Sequence, residues 1–569
     1  MEPARSTILS WLRLALIAWA VTRGGDALAG LPLAGLERPA VELSAGLDRT
    51  DGRPSQERLS GPVLADPCTT ECVAAYAPFA SSWRYLQGDL SALERGLFAD
   101  AADGRWDEHC LLTAALIASG VTDARALNRY QARFDELTAE LEELGLASRS
   151  PRRRAQAIYE AMHRRFLTGG YQVDATDLAL VLDRGRFNCV SASVLYHCLA
   201  ARFGLSVCGV EVPGHAMSRL HLPDGPLDIE TTCPGWFRLI DHPEKQAELL
   251  QKTIGVQGAE GSSPEKRREV SDVELVATIY YNRGVDLLAQ KRFAEAVVAN
   301  AKALRLDPSS TTARGNLLAT INNGAVEAAS AGRHAEAVEL LRQGIALDRR
   351  YETFRVNYVH VHSQWIDDLT RDGRFGEALA LVDRADEDSV DPAYFAGARL
   401  DVVRRWARAH LEAGRTDEAF AVFDEASRPG GPWPELQEAE AAEVSRYASE
   451  LVRRGRFAEA VALLDEALAR QADSAVLGSS RRRAVAEWAR SALEEGDYAE
   501  AIRRLTYGTP PEPTHESLAG DVHDLYSRWI SELLARGRRV EAWRVTRRAL
   551  GDPFLSSRTD GPIAELSGR

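Results

Sequence analysis

Cys189, His215 and a pair of acids, Asp228 and Glu230, are the residues of this 569-residue chain whose types and order suit covalent chemistry on a carbonyl group. The stretch Phe187-Asn188-Cys189-Val190-Ser191-Ala192-Ser193 follows a polar, glycine-containing turn and opens a helix, with Asn188 fitted to the N-cap. A thiol in the first turn of a helix ionises more easily, because the terminal amides and the dipole favour thiolate. The same amides can hold an oxyanion on an attacked carbonyl. Such a nucleophile needs a base. His215 stands 26 residues on, between Gly214 and Ala216 and just after the strand-like run Val207 to Val212, where its ring can face the helix start. Asp228 and Glu230 alternate along the next strand-like segment. Their spacing predicts that both point to one face and that either holds the imidazole as the third member of a triad.

Other chemistries lack their residues. The chain has no Gly-rich phosphate loop followed by Lys-Ser or Lys-Thr, no His-Glu-x-x-His and no dinucleotide fingerprint. His360 and His362 are two apart on a helical stretch, point to different faces and make a poor metal pair. Neither a metal nor a small-molecule cofactor is expected. Among seven cysteines, Cys68 and Cys72 are the natural disulfide candidates and lack the second pair that structural zinc needs. Cys110, Cys198 and Cys208 sit among apolar residues and are expected to be small buried hydrophobes. A formal charge of −14, with basic residues alternating with acids, excludes a nucleic-acid partner.

The elements that must position these residues follow from hydrophobic spacing. At 45% hydrophobic and 27% charged, the chain can bury cores throughout, and its length implies more than one domain. Apolar residues three and four apart predict helices over Leu111–Ile117, Tyr130–Leu146 and Ala155–Phe166, a helical subdomain ahead of the cysteine. After Tyr171 come the helix starting near Asn188 and strand-like pieces at Ser206–Val212 and Leu227–Thr231, a small α+β core. Gly30 to Pro67 and Gly255 to Asp272 read as linkers. At the N-terminus, Arg5 and Arg13 precede the apolar run Leu14 to Val21, and Ala27-Leu28-Ala29 offers a small-x-small cleavage site. This predicts an exported protein, periplasmic or extracytoplasmic, against the alternative of an amphipathic helix in a cytoplasmic one. The run is too short to span a bilayer, so membrane contact is expected only if the segment stays uncleaved.

From about Val273 to Leu555 the sequence repeats with a period of 41 residues. Ala296, Ala337, Ala378, Ala419, Ala460, Ala501 and Ala542 are evenly spaced and each follows a glutamate; seven residues after each stands Ala303, Gly344, Ala385, Ala426, Ala467, Gly508 or Ala549. Small residues two turns apart let another helix approach, and the glutamate complements the helix dipole, so these columns mark the second helix of each unit. Glycine five residues before the alanine (Gly332, Gly373, Gly414, Gly455, Gly496, Gly537, with Lys291 in the first unit) ends the first helix. Trp365, Trp406, Tyr447, Trp488 and Trp529 recur eight residues earlier and are expected to pack unit against unit.

The spacing of Gly284, Ala296, Ala303 and Pro308 resembles the tetratricopeptide repeat, whose units are about 34 residues long. That resemblance implies an all-α superhelical solenoid over 273–555 that docks a protein or peptide partner. Leu111 to Trp236 resembles the transglutaminase-like superfamily, in the branch related to the N-terminal domain of SirB1-type proteins. The motifs are Gly169-Gly170-Tyr171, Asn188-Cys189-Val190-Ser191, Val212-Pro213-Gly214-His215 and Ile229-Glu230-Thr231-Thr232. It implies a papain/transglutaminase-like α+β core with Cys189 as nucleophile, His215 as general base and Glu230 where the family usually has aspartate, Asp228 being the alternative acid. The resulting plan is a signal peptide (1–29), a flexible linker (30–71), a transglutaminase-like domain with its helical subdomain (72–254), a linker (255–272), seven repeats (273–555) and a tail (556–569). A thiol acyltransferase or amide hydrolase carrying a protein-binding scaffold is expected; the alternative is a scaffold whose core is catalytically silent.

Overall fold

The computed structural model describes residues 90–212, 214–242, 244–246, 248–249, 267–427, 434–511, 516–555 and 561–567. The expected signal segment, the linker 30–71, residues 72–89 of the core domain, most of the 255–272 linker, and Cys68 and Cys72 lie outside the described residues. The chain divides into two compact units, one ending at Val361 and one beginning at His362.

In the first unit, helices α1 (Ala92–Asp100), α2 (Leu111–Ala118), α3 (Ala124–Glu143) and α4 (Pro151–Arg165) precede the core sheet. On α3 the buried side chains Leu127, Phe134, Thr138 and Leu141 follow helical spacing, so one stripe faces inward. A parallel pair, β1 (Gly170–Tyr171) with β2 (Arg186–Phe187), brackets α5 (Leu178–Arg184). Helix α6 (Cys189–Arg202) is buried at every residue from Val190 to Ala200, as a helix apolar on most sides must be. It packs on β3 (Val207–Val212) and β4 (His215–Leu220), the middle strands of an antiparallel sheet ordered β5-β4-β3-β6, where β5 is Leu227–Ile229 and β6 is Arg268–Val270.

Strands β4 and β6 and helix α5 have no counterpart in the sequence reading. Five of the six side chains of β4 are buried, so inside and outside do not alternate along it. It pairs as one arm of a hairpin in which Val212 faces His215 and Gly214, just before the strand, takes φ 75. Strand β6 lies in the stretch expected to be linker and is held by its ladder with Gly209–Glu211. Two cysteines also depart from expectation: Cys110, the N-cap of α2, is exposed with its sulfur 3.2 Å from Thr113 Oγ1, and Cys208 on β3 is only partly buried, while Cys198 is buried.

The repeats start on the core itself. Helix α7 (Asp272–Ala289) packs against α2, α6, β3 and β6, and pairs with α8 (Phe293–Leu306). The hairpin of α9 (Thr311–Ser330) and α10 (His334–Leu347) follows, and then α11 (Glu352–Arg371), within which the division at Val361 falls. The second unit continues with α12 (Phe375–Glu387), α13 (Pro392–Glu412), α14 (Thr416–Ser427), α15 (Pro434–Arg453), α16 (Phe457–Arg470), α17 (Ala475–Glu494), α18 (Tyr498–Leu505), α19 (Glu516–Ala535) and α20 (Arg539–Leu550). A short helix α21 (Gly561–Ser567) packs on α19 and α20 within the expected tail.

First helices run 18–21 residues and second helices 8–14, so the long period is spent chiefly on the first. All seven column alanines are at most 2% exposed. At Gly344 an added Cβ would lie 2.5 Å from the Phe354 ring, which is why that column needs a small residue. Gly508 departs from the column: α18 stops at Leu505, and Gly508 is an exposed turn residue at φ 66. The six terminating glycines have φ between 73 and 77, and Lys291 takes the same left-handed conformation at φ 59. Aromatic packing between units is visible where Trp406 stacks on Phe375 (6.2 Å) and Trp529 on Tyr498 (6.0 Å).

Candidate active site

Cys189 is the first residue of α6, and the cap before it is over-determined. Asn188 Oδ1 accepts from the Val190 and Ser191 amides at 3.0 Å each. Its Nδ2 donates to Val173 O (3.1 Å) and Thr176 Oγ1 (2.7 Å), and its own amide donates to Ser191 Oγ at 3.0 Å. These bonds anchor the helix start to the loop after β1. The Gly169-Gly170 pair allows that loop to approach: a Cβ on Gly169 would lie 2.3 Å from Arg184 O, and instead its amide donates to Gly185 O at 2.8 Å. The close approach brings Tyr171 edge-on to Phe187, two residues before the cysteine.

His215 begins β4, and its Nε2 is 2.6 Å from Glu230 Oε2. Glu230 is fully buried, and its other oxygen accepts from Thr232 N (2.9 Å) and Thr232 Oγ1 (2.6 Å), so each oxygen of the buried carboxylate has a donor. With Nε2 engaged, Nδ1 is the ring nitrogen left for Cys189. Burial works against ionisation of all three groups, and their mutual attraction overrides it. The Cys189 thiol is lowered by the charge of the nearby His215. Glu230 and Cys189 together raise His215 well above the ordinary histidine range, and Glu230 is lowered by His215 and Thr232.

Asp228 is engaged elsewhere. Its oxygens take Arg219 Nε (2.6 Å) and Nη2 (3.0 Å), and Arg267 Nη1 (2.7 Å). The two acids do not both serve the imidazole because β5 ends at Ile229, one residue before Glu230, and strand alternation no longer holds there.

Four residues around the site were given no part by the sequence reading. Tyr159, fully buried, donates to the Glu230 and Cys233 carbonyls and fixes the turn that carries the acid. His163 lies 4.7 Å from the Tyr159 ring, and burial, opposed by the Thr231 carbonyl and Glu230, lowers its pKa to about 4. Burial raises the Tyr171 phenol, with Cys189 and Glu230 adding to the shift. Tyr281 comes from the repeat helix α7 and donates to Glu211 Oε1 at 3.1 Å. Only Tyr171 had a local signal, its place after the glycine pair; the others come together through packing of α4 and α7. Among the described residues, no three histidine, cysteine or acidic side chains form a metal-holding group.

Residues 128–256 match the model of a family described as the transglutaminase-like superfamily. Comparison with curated proteins finds no match. Among solved structures, a tetratricopeptide repeat protein from Parabacteroides merdae is 13% identical, over 51% of this chain and 96% of that one, with a TM-score of 0.15. At that score the likeness adds nothing to what the hairpins themselves show.

Proposed function

We propose that this chain, which carries a transglutaminase-like domain over residues 128–256, is a cysteine acyl-transfer enzyme acting on amides, with SirB1-type proteins as its nearest branch. The observation that carries the reading is the buried His215–Glu230 pair beside a thiol at a helix start. In the proposed reaction the Cys189 sulfur attacks the amide carbonyl, and amides of the first turn of α6 hold the resulting oxyanion. His215 then gives its Nδ1 proton to the departing amine, the C–N bond breaks and a thioester remains. Water or a second amine attacks the thioester, His215 takes the incoming proton, and the thiolate leaves. Glu230 holds the imidazole in place and balances its charge through both steps.

The hairpins hold the protein or peptide that presents the acyl group in this reading. A cavity of about 470 Å³ between α15 and α17, lined by Ser449, Arg453, Phe457, Arg483 and Glu487, supports it. Iodoacetamide alkylation of Cys189 across pH tests the reading. The wild-type thiolate should persist below pH 7, and His215→Ala should return the thiol to an ordinary pKa of ~8.5. An ordinary pKa in both proteins would leave the core a silent scaffold.

A further inference from the structure

We propose that the outer face of α20, the second helix of the last repeat, is a docking surface for a membrane that bears anionic headgroups. The helix buries one side and bares the other. Ala542, Val545, Thr546 and Ala549 are buried, while Val540, Trp543 and Leu550 are 66%, 49% and 42% exposed. At about 100° per residue these three fall within a stripe of about 80° on the side away from the buried one. Arg547 stands inside the stripe, its guanidinium carbon 5.2 Å from the centre of the Trp543 ring. Arg539 and Arg544, both exposed, flank it on either side. Among the described residues, none of these three arginines has a carboxylate partner, and Glu541, the one acid of α20, is taken by Arg538.

Two columns of the repeat change character in this unit. The residue after the column alanine is Phe420, Val461 and Ile502 in units four to six, where the second helix packs on the next unit and each side chain is at most 4% exposed. In the seventh it is Trp543, and it is bare. Five residues after the alanine, Asp383, Asp424 and Asp465 pair with Arg399, Arg470 and Arg481 of the following unit. Arg547 takes that place on α20, so the sign is reversed. An exposed indole and unpaired guanidinium groups suit a lipid–water boundary, where the ring sits at headgroup level and the cations meet phosphate. A second copy of the chain would instead set these arginines against one another. A stripe opposite the buried side protrudes without walls, a shape that a deformable lipid surface covers more fully than a folded partner does. The contact needs no N-terminal anchor.

The test is flotation of the full-length protein with vesicles of phosphatidylcholine alone or of phosphatidylcholine and phosphatidylglycerol in equal parts. Partitioning onto the mixed vesicles should exceed that onto neutral ones by roughly tenfold or more, and should fall as salt is raised. Trp543→Ala should lower it by about three- to tenfold. The combined change Arg539→Glu, Arg544→Glu and Arg547→Glu should bring it to the neutral-vesicle level, with melting curves unchanged because all these side chains are exposed. Equal partitioning onto both vesicles, or none onto either, overturns the proposal. So does binding that survives both variants, which would assign the contact to another surface such as the apolar run Leu14 to Val21. Release by inorganic phosphate at constant ionic strength would give the arginines to free phosphate, and a dimer that Trp543→Ala dissolves would give the face to a second copy; either result also overturns it.

Discussion

His215 Nε2 meets Glu230 Oε2 at 2.6 Å with the histidine 8% and the glutamate 0% exposed. Ions withdrawn this far from water are costly unless their remaining hydrogen-bonding positions are filled. Thr232 fills those of Glu230, and Glu230 and Cys189 raise His215 well above the ordinary histidine range.

Replacing Glu230 by Gln leaves the imidazole with a neutral partner and removes the support for its charge. Cys189 alkylation at pH 6 should fall by about tenfold or more, given roughly 1.5–3 kcal/mol for a charge-assisted hydrogen bond. Asp228→Asn should leave that rate unchanged, because its carboxylate serves Arg219 and Arg267. The reverse order of effects would reassign the orienting acid.

Asp286, on α7, is raised to about 7 by burial and by its neighbours Asp174 and Asp177, against an attraction from Arg283. A carboxyl raised in the folded state supports stability fully below its ordinary pKa of 3.8 and loses that support as pH climbs through 7. Asp286→Asn should therefore stabilise the protein at pH 8, by roughly 1–3 kcal/mol after screening, and by only about a third as much at pH 5. Thermal melts at the two pH values compare directly.

Lys291 occupies a left-handed position that glycine fills in the other six units, at the cost of a Cβ clash. Its ammonium pairs with Glu327 at 2.9 Å, an exposed contact of about 0.5 kcal/mol or less. Lys291→Gly should stabilise by roughly 0.5–1 kcal/mol and Gly455→Ala should destabilise by about 1 kcal/mol, as urea midpoints will show.

Arg268 binds Glu211, Glu274 and Asp307 together, and the Asp307 side chain is 2% exposed. Arg268→Ala strands that acid and frees Glu211, with an expected loss of about 2–3 kcal/mol in chemical denaturation. Lysine should restore only part of it, since it lacks the fork.

The repeat was readable because it depends on short-range geometry written seven times: a small residue where helices touch, a glycine where one must stop, an aromatic where units meet. It failed at Gly508, where the letter was right and the helix had already ended at Leu505. The expected linker 255–272 misled for the opposite reason, since Arg268–Val270 has no strand signature and is a strand only because Gly209–Glu211 stands beside it.

By itself the sequence determined the order of Cys189, His215 and the acids, the cap at Asn188 and the module of the hairpins, because each rests on residues near one another along the chain or repeated at a fixed interval. Which acid meets His215, and that α7 packs on the helix carrying Cys189, were decided only by tertiary structure. Side-chain direction past a strand's end, and the face that one helix gives another, are set by packing among segments far apart in sequence.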